Sequence, residues 1–146
     1  MLPEKITGTW YNELGSTMEI QIRGNNIVGT YQTAVGDAEG IYRLFGVGDF
    51  DDHASETLGW TVAWNNEFKN SDSVTTWCGQ YQVKDGEEII VTTWLLTTET
   101  DPNDDWHSTL IGMDTFYRYP VRENASKGKD MKRSHPANFK DVEGES

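Results

Sequence analysis

Along this chain large apolar and small polar side chains alternate with a period of two, and the alternation breaks at clusters of Gly, Asn, Asp and Ser. Eight such runs stand out, at residues 7–14, 17–23, 27–35, 39–50, 57–65, 73–83, 88–98 and 107–118. Turn signals separate them at Gly15-Ser16, Gly24-Asn25-Asn26, Gly36-Asp37 and Lys84-Asp85-Gly86, with an acidic loop at Asp51, Asp52 and His53 and another loop over 99–105. None of the runs has convincing helical periodicity. Consecutive strands with short connections predict an all-β fold, an eight-stranded antiparallel up-and-down β-barrel closed so that no edge is exposed.

Parity assigns one face of each strand. Trp10, Asn12 and Leu14 share a face, as do Ile27, Gly29, Tyr31 and Thr33, and Trp60, Val62 and Trp64. The later strands add Ser73, Thr75 and Trp77, then Ile90, Thr92, Trp94 and Leu96, then Leu110, Gly112, Asp114 and Phe116. An ordinary core face is Val, Ile and Leu, whereas these sets mix indoles with hydroxyls. The apolar members predict a barrel floor, and Asn12, Tyr31, Thr33, Ser73, Thr75 and Asp114 converge nearer one end. Leaving such groups buried without partners costs about 1–3 kcal/mol each, so they either satisfy one another or await a ligand. An eight-stranded barrel has room for packed side chains or one small ligand, and a wall of indoles and hydroxyls suits a ligand with an apolar body and several polar atoms. On the opposite face of the last two strands, Leu95, Ile111 and Met113 are apolar where a monomer prefers charge. Their grouping on adjacent strands favours an association surface over scattered surface hydrophobes.

Length and composition narrow the setting. At 146 residues the chain is one domain with a real core. The net charge of −12 speaks against nucleic acid or an anionic membrane as partner. No apolar stretch approaches the ~20 residues of a spanning helix. Cys78 is the only cysteine, so no intrachain disulfide forms and the redox compartment stays open. No signal-peptide pattern stands near Met1, which leaves a cytoplasmic location and a removed leader equally open. Beyond residue 118 the character changes. Residues 119–146 hold half of the Lys and Arg residues and few large apolar ones, which predicts a solvated polar tail behind a binding domain over 1–118. Asn124-Ala125-Ser126 fits a glycosylation sequon, a pattern short enough to arise by chance.

The residues 8–16 (GTWYNELGS), Gly29-Thr30-Tyr31, Val35-Gly36, 59–66, 75–81 (TTWCGQY), Thr93-Trp94-Leu95-Leu96 and Trp106 through Phe116 carry a resemblance to the avidin and streptavidin family of biotin-binding proteins. The resemblance spans about residues 7–118 in order and with similar spacing. Streptavidin is itself a standard example of an eight-stranded barrel holding one small ligand. The resemblance implies that Asn12, Ser16 and Tyr31 donate to the ureido oxygen of biotin, an arrangement that stabilises an oxyanion-like form. It implies that Thr33 and Asp114 accept from the ureido nitrogens, the latter with a charge-assisted bond. By the same likeness Thr75 stands near the thioether, Trp64, Trp77 and Trp94 wall the rings and valeryl chain, Leu14, Val35 and Leu96 complete the lining, and Ser73 donates to the ligand carboxylate. Trp106 matches a tryptophan that caps the pocket of a neighbouring subunit in tetrameric members. With Leu95, Ile111 and Met113 it implies a homotetramer, against the plainer alternative of a barrel-end Trp packed on its own loop. A secreted or periplasmic location also follows from the family, and no cofactor is implied. Two positions depart from streptavidin. Asp37 replaces an Asn close to the expected ligand carboxylate, where its charge repels a valerate. Cys78 replaces a Ser and by parity faces away from the cavity, which makes it a small packed residue rather than a nucleophile.

Other functions have less support. His53, His107 and His135 are scattered, and no metal-ligand spacing appears. Asp114 has no histidine on its face, so a hydrolytic triad lacks its base, and an enzyme is not expected. The run from Asp101 to Asp105 lacks the ligand spacing of a calcium loop. A carbohydrate- or lipid-binding β-barrel module is the main alternative. A sugar site sets Trp on an open face, however, and a lipid carrier has no need of six convergent polar groups.

Overall fold

A computed structural model of the protein describes residues 5–33, 40–50 and 56–121. Eight strands follow one another around a closed barrel: β1 (Gly8–Asn12), β2 (Thr17–Arg23), β3 (Asn26–Gln32), β4 (Ile41–Asp49), β5 (Glu56–Asn65), β6 (Asn70–Lys84), β7 (Glu87–Thr98) and β8 (Thr109–Tyr117). Each is antiparallel to the next, and β8 returns to β1 through Tyr11–Tyr117 and Asn12–Phe116. The fold is the antiparallel up-and-down barrel that the alternation predicts. Between β6 and β7, Asp85 and Gly86 have φ of 53° and 79°. Both central residues of the turn are thus left-handed, as the twist of a two-residue hairpin requires, and Asp-Gly supplies them at low cost.

The strand ends differ from the pattern-based limits where side chains take over from the ladder. β1 stops at Asn12 rather than 14, because the Asn12 side chain accepts from the backbone N–H groups of Leu14 (3.0 Å) and Ser16 (2.9 Å) and bends the chain into a turn. β3 stops at Gln32 rather than 35. The segment expected to be a loop over 99–105 contains a short 3-10 helix, Pro102–His107, with Pro at its first turn and acidic residues after it.

The inward faces fill the barrel. Trp10, Leu58, Trp60, Tyr81, Ile90 and Phe116 pack one end, with Trp10 edge-on to Tyr81 and Trp60 edge-on to Phe116. A short N-terminal turn plugs this end: Ile6 is fully buried and its carbonyl accepts from Trp10 Nε1 at 2.8 Å. Arg118 lies over the Trp10 ring at 3.9 Å while donating to the carbonyls of Lys5 and Thr7. Lys5 reaches the buried Glu56 at 3.4 Å. The other end carries the polar side chains.

Candidate ligand-binding site

At the end away from the N-terminal plug, the open end, the β1–β2 turn brings Asn12 and Ser16 beside Tyr31 of β3. Asn12 Oδ1 is occupied by the Leu14 and Ser16 N–H groups, so its Nδ2 is turned inward and donates to the Tyr31 hydroxyl at 3.4 Å. The amide orientation thus follows from the turn, because only the oxygen can accept from the two N–H groups. Ser16, fully buried, hydrogen-bonds Tyr31. Burial, and after it the charge of Asp114, pushes the Tyr31 phenol well above its ordinary value, against the smaller opposing effect of the Ser16 bond. Tyr31 therefore remains a neutral O–H donor across the physiological range.

The strand paired with β1, β8, supplies the acceptor. Asp114 is buried, Oδ2 accepts from Trp77 Nε1 at 2.9 Å, and Oδ1 has no hydrogen-bond partner among the described residues. Thr92 on β7 donates its hydroxyl to the Asp114 carbonyl at 2.9 Å and fixes the backbone beneath the carboxyl. Burial lifts the Asp114 carboxyl well above the usual carboxylate range. The Trp77 bond opposes that rise, the negative charge of Glu13 adds to it, and Asn12 Nδ2, which makes no bond of ordinary geometry to Oδ1, helps the ionised form.

Between these groups stand the indoles. Trp64 donates from Nε1 to Thr75 Oγ1 at 2.7 Å, which leaves the Thr75 proton free to point into the cavity. Trp64 packs edge-on against Tyr31, and Trp77 tilts against Tyr31 at 4.9 Å. Trp94 and Leu96 are buried on β7. A Cβ on Gly112 would stand 2.0 Å from the Trp94 ring, so only glycine lets that indole lie flat on β8. Trp94 Nε1 and Trp60 Nε1 are buried without hydrogen-bond partners among the described residues.

Asn12, Ser16, Tyr31, Trp64, Thr75, Trp77 and Asp114 are thus joined by hydrogen bonds and ring contacts, and Trp94 and Leu96 are buried in the same barrel. Leu14, Thr33 and Ser73 are half-buried nearer the mouth. Val35 and Asp37 lie outside the described residues. Trp106 does not join the inward set: it is 76% exposed on the 3-10 helix, its ring against its own neighbour His107. The outward assignment of Leu95, Ile111 and Met113 holds, since all three are exposed. Cys78 faces outward too, and it is exposed rather than packed, because its neighbours across the sheet are Gly59 and Thr93. Two contributors escape the sequence-based set: Tyr42 packs on Trp64 at 5.0 Å, and Glu13 Oε1 accepts from the Thr115 N–H at 3.1 Å. Trp60, inward by parity but without a predicted ligand contact, stacks on Trp77 at 5.7 Å.

A donor cluster, an acceptor oxygen without a partner among the described residues and buried indoles suit a small ligand with an apolar body and several polar atoms. The Avidin family model matches residues 2–119. The chain belongs to the avidin family. Its relatives include avidin-related protein 4/5 of Gallus gallus, 39% identical over 120 residues, and avidin of Gallus gallus, 36% identical over 122 residues, with 77% of each chain covered in both pairings. Afifavidin of Afifella pfennigii is 32% identical over 120 residues, covering 76% of this chain and 67% of its own.

Proposed function

We propose that the protein binds biotin non-catalytically at the open end of the barrel. Membership of the avidin family supports this reading, and the observation that carries it is Asp114 Oδ1, without a hydrogen-bond partner among the described residues, beside the Asn12–Ser16–Tyr31 donors. A cyclic urea has one carbonyl acceptor flanked by N–H donors, and this site presents the complement. The carbonyl takes the donors, one N–H takes Oδ1, and Thr33 at the half-buried rim serves the other. Thr75 donates to the thioether, Trp64, Trp77 and Trp94 enclose the apolar parts with Leu14, Val35 and Leu96, and Ser73 and the 37 backbone serve the ligand carboxylate near the mouth. No step of bond breaking is involved and no cofactor is needed.

The pocket in this reading is completed by a neighbouring subunit of a homotetramer. Trp106, with three-quarters of its surface open to solvent, is the capping residue offered to that neighbour. A tetramer with three perpendicular twofold axes requires each chain to bury at least two different self-complementary patches. Leu95, Ile111 and Met113 on β7–β8 provide one. On the far side Ile41, Phe45, Val47 and Phe68 are also exposed, three of them beside an open groove of about 780 Å³ that Arg43 and Glu67 flank with opposite charges. Residues 1–118 are the binding domain, and a secreted or periplasmic location belongs to the same reading.

Titration of purified protein with biotin, desthiobiotin, a monosaccharide and a fatty acid tests it, with thermal stabilisation and light scattering read together. One biotin per chain, a large rise in melting temperature and a mass of four chains are expected. Uptake of the sugar or fatty acid in preference to biotin would replace it with the carbohydrate- or lipid-binding alternative.

A further inference from the structure

The β1–β8 seam is where the barrel closes, and it carries only the pairs Tyr11–Tyr117 and Asn12–Phe116. The next pair in register would join residue 13 to residue 115, but β1 has already turned away at Asn12. A side chain takes the place of that missing backbone partner: Glu13 Oε1 accepts from the Thr115 N–H at 3.1 Å. The two residues flanking this bond are a donor and the acceptor of the site. Asn12, directly before Glu13, organises the turn that holds Ser16, and with Ser16 and Tyr31 it forms the donor cluster. Asp114, directly before Thr115, is the acceptor. We propose that Glu13 is a positioning residue for the urea site, stapling the turn that carries the donors to the strand that carries the acceptor. This inference rests on the biotin reading above and goes beyond it, since Glu13 itself does not touch the ligand.

The staple also has an electrostatic side. The titratable groups that face Asp114 are Tyr31 from β3 and Glu13 from the β1–β2 turn, while β6 and β7 present the neutral Trp77 and Thr92. Tyr31 stays protonated, so Glu13 is the neighbour whose charge acts on Asp114, and it favours the protonated carboxyl.

Full-length wild type, E13A and E13Q separate these roles. Gln keeps an oxygen acceptor for Thr115 and loses the charge, while Ala loses both. Two readouts apply: amide hydrogen exchange at Thr115 in the ligand-free protein, and dissociation of biotin amide, which has no carboxylate to titrate, across pH. In E13A, Thr115 exchange and biotin-amide dissociation are both expected to accelerate about tenfold or more, as for loss of a bond to a charged acceptor. In E13Q both are expected to lie within about threefold of wild type, because a neutral bond remains. The acid limb of its dissociation profile is expected at lower pH, because the charge that favoured protonated Asp114 is gone. A dissociation rate in E13A within twofold of wild type, or Thr115 exchange unchanged in E13A, overturns the proposal. So does an E13Q as impaired as E13A in both readouts. A wild type that takes up no biotin or biotin amide overturns the biotin reading and the urea-site role with it. Thr115 exchange then still reports whether the staple holds the seam.

Discussion

The two ends of the barrel use the same kinds of residue to opposite effect. At the closed end the indole of Trp10 is tied to the Ile6 carbonyl and covered by Arg118, and Glu56 lies against Lys5. At the open end Asp114 is just as buried, yet one of its oxygens has no partner among the described residues. Unpaired indole N–H groups do not separate the ends, since Trp60 at the closed end and Trp94 each have one. Burial of an unsatisfied polar atom costs about 1–3 kcal/mol, more for a charged one. The closed end is thus organised for stability of the chain alone, while the open end holds free energy that only a ligand with matching groups recovers. Binding sites in folded scaffolds are expected to be the places where such rules are broken locally and compensated elsewhere.

The largest effect that should separate the ends is on Asp114 and Trp10. Asp114→Ala is expected to weaken biotin by about two orders of magnitude or more, as for loss of a buried charge-assisted bond, with little net change in the melting temperature of the free protein, because removing a buried carboxyl offsets the loss of its bond from Trp77. Trp10→Phe is expected to do the reverse, costing about 1–3 kcal/mol in denaturant unfolding through lost packing and the lost bond to Ile6, with biotin dissociation within about threefold of wild type. Calorimetry and urea melts of both variants check the pair. A Trp10 variant that lost binding at unchanged stability would erase the distinction between the ends.

Next in size is the pH dependence. Burial raises the Asp114 carboxyl in the folded chain above its unfolded value of about 3.9. The folded state then binds the proton more tightly than the unfolded one, so this residue's contribution favours folding most at acid pH. Stability of the free protein should therefore decline as pH rises from about 4 through the folded value, and Asp114→Asn should remove that slope. A ligand N–H on Oδ1 favours the carboxylate, so biotin uptake below the free-state value should release a proton. Calorimetry in two buffers of different ionisation heat measures it. No release at any pH would mean that Asp114 is ionised before the ligand arrives.

Much of this contrast is legible in the alternation of the sequence, but unevenly. For β3, β5 and β6, one face is far more apolar or aromatic than the other, so parity alone places Tyr31, Trp64 and Trp77 inside, whereas on β7 and β8 the outward Leu95, Ile111 and Met113 rival the inward Trp94, Leu110 and Phe116. In β4 parity is mute: Ile41, Phe45 and Val47 point out, Tyr42 and Leu44 point in, and both sets look like a core face. Tyr42 was hidden for that reason. An outward apolar face of this kind is expected where another surface covers it. Glu13 was hidden for a different reason. Its role depends on β1 ending two residues earlier than alternation suggests, and that end is set by the Asn12 side chain bending the backbone, which a period-two pattern does not register. The 3-10 helix escaped as well, because Pro102–His107 is too short to display a period. It is the element that carries Trp106 away from its own barrel.

The smallest effect is expected at the rim, where sequence speaks and position 37 lies outside the described residues. The likeness to streptavidin aligns Asp37 with an amide near the ligand carboxylate. A carboxylate there adds repulsion in a partly solvated setting, where an exposed charge pair is worth about 0.2–1 kcal/mol. Asp37→Asn should slow biotin dissociation by about two- to fivefold at neutral pH. The gain should shrink at high salt, vanish for biotin amide, and diminish as pH falls low enough to protonate Asp37. Those three controls separate charge from shape. An amide that slowed biotin and biotin amide equally would owe its effect to a new hydrogen bond. A rate unchanged at every pH would remove the charge of Asp37 from the account of binding, and the contrast between the ends would then rest on Asp114 alone.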